Sequence, residues 1–291
     1  MEVNTIAIIG AGTMGRGIAY ASALGGFHTV LEDVSDTILA RGLIWIREAF
    51  DEGVMRGKVE PADRDAALAR ISTSQAVDEA IRDAELIIEA VPEELEMKLE
   101  LFTIFDKFAK PNAIFASNTS SLSISDFSDI VIHPERCIGM HFFNPVPKMR
   151  LVEIIRTAHT SVETVATCVA VADRMHKESV IVNEAPGFIT SRINALVGNE
   201  AFAILEAGIA TAPDIDKAIK LGLNHPMGPF EMVDLVGLDV RLKILEYLHK
   251  TLGEKYRPNA LFRQYVQEGR LGRKAGRGVY DYFSSDPPEK K

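Results

Sequence analysis

Short apolar runs alternate with longer amphipathic segments over the first half of the chain. The run at residues 6–9 is β-branched and ends at a glycine, which predicts a buried strand. Segments with helical spacing separate the apolar runs, and Pro61 stands near the start of one such segment. This alternation predicts right-handed crossovers and a parallel sheet. The predicted strands are 6–9, 28–31, 71–73, 85–91 and 113–116, and the predicted helices are 14–24, 36–56, 61–70 and 94–109.

The alternation ends near residue 185, where the sequence reads A-P-G-F. Apolar residues then repeat at helical spacing, which predicts a long helix packed on one side. Ser191, Asn194 and Gly198 form a separate, small and polar face of that helix. Further helices are predicted at residues 212–221, 230–252 and 260–268.

Two domains follow from these patterns. The fold class is predicted to be α/β, with a mainly parallel sheet in residues 1–184 and an all-helical domain in residues 185–291. The helical domain is small and apolar, and its exposed stripe suggests self-association.

A glycine-rich turn, G-x-G-x-x-G, connects the first predicted strand to the first predicted helix. Its first glycine permits a tight turn, the second lets backbone approach a pyrophosphate, and the third lets the helix pack closely on the strand. The helix N-terminus offers free N–H groups to the phosphates. The motif therefore predicts a dinucleotide site, with Gly10, Gly12, Thr13, Met14 and Gly15 as cofactor-binding residues.

Two acidic residues, Glu32 and Asp33, end the second predicted strand about 20 residues after the turn. A carboxylate at this place binds the ribose 2′-hydroxyl and repels a 2′-phosphate, so NAD is favoured over NADP. Either acid suits the ribose, and at least one of them is expected to be an ordinary strand-end side chain.

Composition narrows the class of protein. The length of 291 residues, the hydrophobic content of 47% and the charged content of 25% indicate a globular protein with an ample core. The formal net charge of −9 argues against nucleic acid or an anionic membrane as a partner.

Cys137 and Cys168 fit a reducing compartment, and neither is expected to be a nucleophile. No leader, membrane span or metal site is predicted, and residues 284–291 are a polar tail, so a cytoplasmic protein is expected.

A hydroxyl-rich stretch, S-N-T-S-S-L, follows the strand predicted at residues 113–116. Helix capping by Ser120 or Ser121 would account for one hydroxyl but not for four. No G-x-S-x-G surrounds them, so a nucleophilic serine is not expected. Glu93 and Lys98 likewise follow a strand end, where parallel sheets bind ligands, although each could equally be an exposed charge at a helix start.

His141 ends an apolar strand, and Glu153 lies inside the apolar strand that follows it. An unpaired buried carboxylate is costly, so Glu153 is expected to have a partner. If the chain reverses about residues 145–147, the midpoint of positions 141 and 153 is 147, and the two side chains lie opposite each other. From the residues alone, the pair is either a general base with its orienting acid or a satisfied pair in the core.

Taken together, these motifs resemble those of the NAD-dependent L-3-hydroxyacyl-CoA dehydrogenases, particularly the short bacterial 3-hydroxybutyryl-CoA dehydrogenases. The resemblance runs nearly end to end and includes I-G-A-G-T-M-G, A-S-N-T-S-S-L, G-M-H-F-F-N-P, L-V-E-I-I, A-P-G-F, N-H-P-M-G-P and G-R-K-x-G-x-G-x-Y-D-Y. It implies a Rossmann-like domain followed by a helical dimerisation domain, a homodimer, NAD as cofactor and an acyl-CoA substrate.

The resemblance also implies roles for individual residues. His141 would take the 3-hydroxyl proton, Glu153 would orient His141, and Ser120 would bond the substrate oxygen. Arg56 would lie near the CoA, although it is equally read as a solvated helix end. The positions that match contacts to NAD or to the acyl-CoA are Glu93, Lys98, Asn144 and Lys274.

One position departs from the family pattern. The family sequence G-F-x-x-N-R supplies a catalytic asparagine, and this chain has Ser191 there. Loss of one donor to a reacting oxygen can cost roughly 10²–10³ in rate. Either Asn194, one helical turn later, or a water held by Ser191 restores the contact, or the pocket is reshaped for a substrate other than a simple short chain.

Two alternatives stay open. A related dehydrogenase of a non-CoA hydroxy acid would share the glycine turn, the serine and the His–Glu pair. A catalytically weakened NAD(H)-binding homologue would keep the fold, and Ser191 makes that reading conceivable.

Overall fold

The computed structural model describes residues 1–282, so the polar tail of residues 284–291 lies outside the described residues. The chain divides into two compact units between Ala185 and Pro186, one residue from the boundary expected from the sequence. None of the helices in residues 1–282 is long and apolar enough to cross a lipid bilayer.

The first unit is built on one eight-stranded sheet with the order β3-β2-β1-β4-β5-β6-β7-β8. All neighbouring strands pair in parallel except β6 and β7, which are antiparallel. A mainly parallel sheet is therefore confirmed. The strands are β1 Thr5–Ile9, β2 His28–Glu32, β3 Ile71–Ser74, β4 Leu86–Glu89, β5 Ile114–Ser117, β6 Cys137–Phe142, β7 Leu151–Arg156 and β8 Glu178–Asn183.

Helices connect the parallel neighbours of the sheet. The short helices α4 and α6, of five residues each, are not anticipated by the apolar pattern because so few residues show no periodicity. The helices of this unit are α1 Thr13–Leu24, α2 Asp36–Met55, α3 Pro61–Ala69, α4 Val77–Ile81, α5 Leu95–Phe108, α6 Ile124–Ser128 and α7 Val162–Arg174.

Aromatic side chains fix α5 against the sheet. The Phe102 ring lies 5.0 Å from that of Phe127 on α6 and 6.3 Å from that of Phe115 on β5. Phe105 adds a further contact to Phe115, with 5.8 Å between ring centroids. This packing holds the N-terminus of α5 beside the carboxyl ends of β4 and β5, where the first unit gathers its polar residues.

The second unit is helical. Its α-helices are α8 Thr190–Glu206, α9 Ala212–Gly222, α10 Pro229–Val236, α11 Leu238–Leu252 and α12 Ala260–Gln267. The single helix predicted at residues 230–252 is wrong, because the chain breaks at Gly237, whose φ is 105°. Only glycine adopts such a φ at little cost, so α10 and α11 are separate helices.

Two buried carboxylates hold the second unit together. Asp216 accepts hydrogen bonds from the Phe230 and Glu231 backbone N–H groups and from the Tyr280 hydroxyl, at 2.8, 3.0 and 2.7 Å. Asp234 accepts bonds from the Val279 and Tyr280 backbone N–H groups at 2.8 and 2.9 Å. The glycine-rich C-terminal segment is therefore fixed by hydrogen bonds to α9 and α10.

Gly228 leaves no room for a side chain beside Asp216. A Cβ there would lie 2.3 Å from Asp216 Cγ, whereas a Cβ on Gly222 would meet nothing within 4 Å. We expect Gly228→Ala to destabilise the protein by about 1–3 kcal/mol, since Asp216 must move and lose its bonds. Gly222→Ala is the matched control and should be neutral or slightly stabilising. Equal unfolding free energies for the two variants in urea titrations would contradict this packing.

Candidate active site

His141 and Glu153 face each other across the antiparallel pair β6 and β7. The strand register pairs these two residues directly, and His141 Nδ1 lies 2.8 Å from Glu153 Oε2. Both are buried, with exposed fractions of 6% and 1%. A carboxylate accepts from Nδ1–H, so the neutral ring carries its basic lone pair on Nε2. This is the geometry of a base held by an orienting acid.

Two contacts fix the strand that carries His141. The Phe143 ring packs against the imidazole, with 4.5 Å between ring centroids. Asn118 Oδ1 accepts a hydrogen bond from the Phe142 backbone N–H at 2.9 Å. The end of β6 is thus tied to the loop that follows β5.

A buried charge network lies at the carboxyl ends of β4 and β5. Lys98 Nζ donates to both Glu89 oxygens at 2.7 and 2.8 Å, and the Ser117 hydroxyl donates to Glu89 at 2.5 Å. The Val91 backbone N–H also donates to Glu89, at 2.7 Å. Burial raises the pKa of the Glu89 carboxyl, and the charge of Lys98 opposes that shift.

Glu89 was missed by sequence reasoning. Its signal was a carboxylate within an apolar strand, which is the same argument that identified Glu153. From the sequence, Lys98 could have been an exposed charge at a helix start. It is instead 1% exposed and serves as the counter-ion of Glu89.

Glu93 gathers the hydroxyl-rich stretch. Its Oε1 accepts from the Thr119 hydroxyl at 2.5 Å and from the backbone N–H groups of Ser120 and Ser121 at 3.0 and 3.2 Å. The Ser120 hydroxyl is 3.5 Å from the same oxygen. Lys98 lies 3.2 Å from Glu93. Burial acts to raise the pKa of Glu93, but the charge of Lys98 and the hydrogen bonds outweigh burial and hold this pKa below its usual value. Glu93, Lys98 and Ser120 are therefore one connected group.

The sequence alone allowed Ser120 or Ser121 to cap the helix that follows this stretch. In the structure neither residue is the N-cap. Ser123 is the N-cap of α6, and its hydroxyl accepts from the Asp126 backbone N–H at 3.3 Å. Ser120 and Ser121 are thereby left to Glu93, where their hydroxyls line the ends of the strands.

The glycine turn after β1 has the form that a pyrophosphate requires. Gly10 has a φ of 99°, and a Cβ on Gly15 would lie 1.7 Å from the Gly10 carbonyl oxygen. A Cβ on Gly12 would meet nothing within 4 Å, so the backbone there is open. Helix α1 begins at Thr13, and Met14 follows it in the first turn. This helix start has no side-chain cap and no acidic residue. Its first N–H groups can therefore receive an anionic group.

The two acids after β2 have different surroundings. Asp33 accepts from the backbone N–H groups of Ala11 and Ser35, both at 3.0 Å, and so lies against the glycine turn. Glu32 is 2% exposed, and its Oε1 is enclosed with no hydrogen-bond partner among residues 1–282. Burial and the charge of Asp33 raise the pKa of Glu32 to about 7. The residues around the turn fit NAD, with Asp33 as the acid placed at the turn.

Three further predicted residues are not members of the hydrogen-bonded groups described above. Arg56 pairs with Glu52 at 2.6 Å and lines a cavity of about 480 Å³ in the first unit. Asn144 is exposed, two residues beyond β6. Lys274, in the second unit, pairs with Asp239 at 2.6 Å. The cavity is lined by aromatic, apolar and charged side chains, among them Tyr20, Trp45, Glu52, Arg56, Lys58, Met149 and Lys177.

Ser191 and Asn194 also belong to the second unit. Ser191 is 8% exposed in the first turn of α8, and Asn194 lies one turn further along, half-buried. Neither side chain forms a hydrogen bond with another residue in the described range. Their catalytic role stays a prediction.

Two family matches together cover nearly all of the described chain. Residues 5–185 match the family described as 3-hydroxyacyl-CoA dehydrogenase, NAD binding domain. Residues 187–282 match the family described as 3-hydroxyacyl-CoA dehydrogenase, C-terminal domain.

Individual relatives agree with that result. A probable 3-hydroxybutyryl-CoA dehydrogenase from Bacillus subtilis is 44% identical over 97% of this chain and 98% of its own. The mitochondrial hydroxyacyl-coenzyme A dehydrogenase of Homo sapiens is 38% identical over 96% of this chain and 91% of its own. The crystal structure of (S)-3-hydroxybutyryl-CoA dehydrogenase from Ralstonia eutropha has a TM-score of 0.93 and 41% identity, covering 97% of this chain and all of that one.

Glu32 generates a pH-dependent prediction. Its pKa in the folded protein is above the unfolded value, so the folded state holds the extra proton and loses stability as pH rises through about 7. Glu32→Gln removes this loss, and its gain in unfolding free energy should be about 2 kcal/mol larger at pH 8 than at pH 5. Urea unfolding at the two pH values measures it. Glu100→Gln, an exposed position, should show no such difference, and a gain for Glu32→Gln independent of pH would contradict the assignment.

Proposed function

The chain belongs to the 3-hydroxyacyl-CoA dehydrogenase family and is an NAD-dependent oxidoreductase, and from that premise we propose that it interconverts L-3-hydroxyacyl-CoA and 3-oxoacyl-CoA with His141 as general base. The single observation that carries this proposal is the 2.8 Å contact between His141 Nδ1 and Glu153 Oε2. It sets the tautomer in which Nε2 can take a proton.

His141 performs the proton transfer in this proposal. In oxidation, Nε2 takes the proton of the 3-hydroxyl group, and in reduction it returns that proton to the oxygen. Glu153 stabilises the imidazolium that forms, because its carboxylate already accepts from Nδ1–H. NAD, when bound, accepts the hydride from C3 of the substrate.

Ser120 and its neighbours position the reacting oxygen. Glu93 accepts from the Ser120 backbone N–H and holds the Ser120 hydroxyl at the strand ends. Lys98 ties Glu93 to the buried Glu89, so the group is pre-organised before substrate binds. We assign Ser120 to the substrate oxygen, and Glu93, Lys98, Asn144 and Lys274 to contacts with NAD or the acyl-CoA.

The glycine turn supplies the cofactor site. Gly10, Gly12 and Gly15 let backbone reach the pyrophosphate, and the start of α1 at Thr13 and Met14 donates N–H groups to it. Asp33 is the acid for the ribose, which favours NAD over NADP. The low exposure of Glu32 supports giving the ribose contact to Asp33 rather than to Glu32.

An acyl-CoA is the proposed substrate class. Several basic side chains line the same cavity as Arg56, which suits the several phosphate charges of CoA better than the single carboxylate of a free hydroxy acid. A non-CoA hydroxy acid is the alternative, and a comparison of acetoacetyl-CoA with free acetoacetate separates the two.

Self-association and location belong to the proposal as well. The second unit exposes large apolar side chains, which supports a homodimer formed through that unit. The cysteine thiols are buried, and burial raises the pKa of both to about 12, which fits a cytoplasmic enzyme with no disulfide. The exposed apolar residues of this unit include Ile189, Ile193, Ile209, Leu221, Leu223 and Leu235.

Removing the orienting carboxylate tests the proposal. Glu153→Gln should lower kcat for acetoacetyl-CoA reduction by about 10²- to 10⁴-fold, because the imidazolium loses its counter-charge. NADH binding, followed by fluorescence, should be unaffected, and Glu100→Gln serves as the control. A near wild-type rate in Glu153→Gln would contradict the role of Glu153 as the acid that orients His141.

Ser191 generates a separate prediction. Ser191→Asn supplies the amide donor that the family has at this position, so kcat for acetoacetyl-CoA should rise by about 10- to 100-fold. If Asn194 substitutes for it in the natural chain, Asn194→Ala should slow the natural enzyme and have little effect in the Ser191→Asn background. No gain in Ser191→Asn would mean that Ser191 does not limit this substrate.

A further inference from the structure

Lys177 is a buried cation of the first unit whose partners are backbone carbonyls. It lies between α7 and β8, and its exposed fraction is 8%. Its Nζ donates to the carbonyl oxygens of Val146 and Met149, at 2.5 and 2.8 Å, and pairs with no carboxylate among residues 1–282. Burial lowers the pKa of Lys177 to about 8, so the ammonium form predominates at pH 7.

Both carbonyls belong to the loop of residues 143–150, which connects β6 to β7. The loop therefore joins the strand of His141 to the strand of Glu153, and it carries Asn144. Two backbone N–H groups of the loop donate to the Pro145 carbonyl, at 2.9 and 3.1 Å. The loop is thus a compact turn that Lys177 closes from outside.

Helix α1 holds the same loop from another side. Val146 is 2% exposed, and a Cβ on Gly17 of α1 would lie 2.9 Å from both its Cβ and its Cγ2. Lys177 binds the carbonyl of Val146, whereas α1 packs against its side chain. Two independent contacts therefore fix the position of this one residue.

The loop forms one wall of the cavity that Arg56 lines. Five of the loop's residues contribute to the cavity, and Lys177 lies beside them. A buried ammonium group is costly, and an apolar side chain would fill the same space without that cost. What the ammonium group supplies is a fixed direction for two loop carbonyls, and with it the placement of the wall. The five loop residues are Pro145, Pro147, Lys148, Met149 and Arg150.

We propose that Lys177 is a positioning residue that holds the loop of residues 143–150 in place as a wall of the cavity for the CoA part of the substrate. This inference rests on the proposed function, in which that cavity receives the phosphates of CoA. The His141–Glu153 pair is held by the pairing of β6 with β7 rather than by the loop. Lys177 therefore acts on KM for CoA thioesters and not on kcat.

A matched pair of thioesters tests the proposal. Reduction by NADH at pH 7 is measured with acetoacetyl-CoA and with acetoacetyl-N-acetylcysteamine, which has the same acyl group but lacks the nucleotide. Lys177→Met should lower kcat/KM for acetoacetyl-CoA by about 10- to 100-fold, mainly through KM, because the wall shifts. The truncated thioester should lose less than about twofold. Lys107→Met, an exposed position of the first unit, should change neither value.

Gly17→Ala separates the position of the loop from the charge of Lys177. The added Cβ displaces Val146 and leaves every charge in place. The ratio of kcat/KM for acetoacetyl-CoA to that for the truncated thioester should fall, as it does in Lys177→Met. The double variant should lose less than the product of the two single losses, since both changes move the same residue.

Binding of free CoA gives a readout that does not depend on turnover. Trp45 is the single tryptophan of the chain and lines the same cavity. Free CoA should change its fluorescence saturably, and Lys177→Met should raise the Kd by about 10-fold. If neither thioester is reduced at all, the proposed function fails, while the CoA titration still reports on Lys177.

Three results would overturn the inference. One is an equal loss of kcat/KM on the two thioesters in Lys177→Met, which is the result of a merely structural role. Another is an unchanged ratio in Gly17→Ala, which would mean that Lys177 acts through its charge. The third is a CoA titration that is the same in the natural protein and in Lys177→Met, including one with no change of Trp45 fluorescence in either.

Discussion

The catalytic unit depends on the requirement that a carboxylate inside an antiparallel strand pair must have a partner. Glu153 lies among Val152, Ile154 and Ile155, all fully buried, and water cannot solvate it there. The imidazole of His141 meets that requirement at 2.8 Å and is itself fixed in one tautomer as a result. A one-residue slip between β6 and β7 would move every side chain to the other face and leave Glu153 unpaired, so the pair also specifies the register.

The same requirement organises the neighbouring strand ends. Glu89 at the end of β4 is neutralised by Lys98 and bonded by Ser117 at the end of β5. Lys98 in turn attracts Glu93, which arranges the backbone of Ser120 and Ser121. One buried ion pair therefore determines where the hydroxyl groups of the following loop lie. Pre-organised groups of this kind lower the reorganisation that a reaction needs.

The strands, the long helices and the His–Glu register were predictable because each has a local signal. Apolar periodicity locates β1, β4 and α5, and the position of the chain reversal pairs residue 141 with residue 153. The break at Gly237 was not predictable, since the apolar pattern continues through it and only the backbone φ of 105° shows it. The cap at Ser123 and the role of Lys98 depend on which partner the fold brings near, and no local pattern encodes that.

Buried charges without partners separate into two kinds. The described chain holds Glu32 and Arg241 in enclosed positions, each with an atom that has no hydrogen-bond partner among residues 1–282. Glu32 can give up its charge, because a carboxyl whose pKa is about 7 keeps its proton below neutral pH. A guanidinium whose pKa is about 10 cannot do so at the same pH. Protonation within the folded chain therefore removes the cost of burying the Glu32 charge, whereas the charge of Arg241 persists at neutral pH.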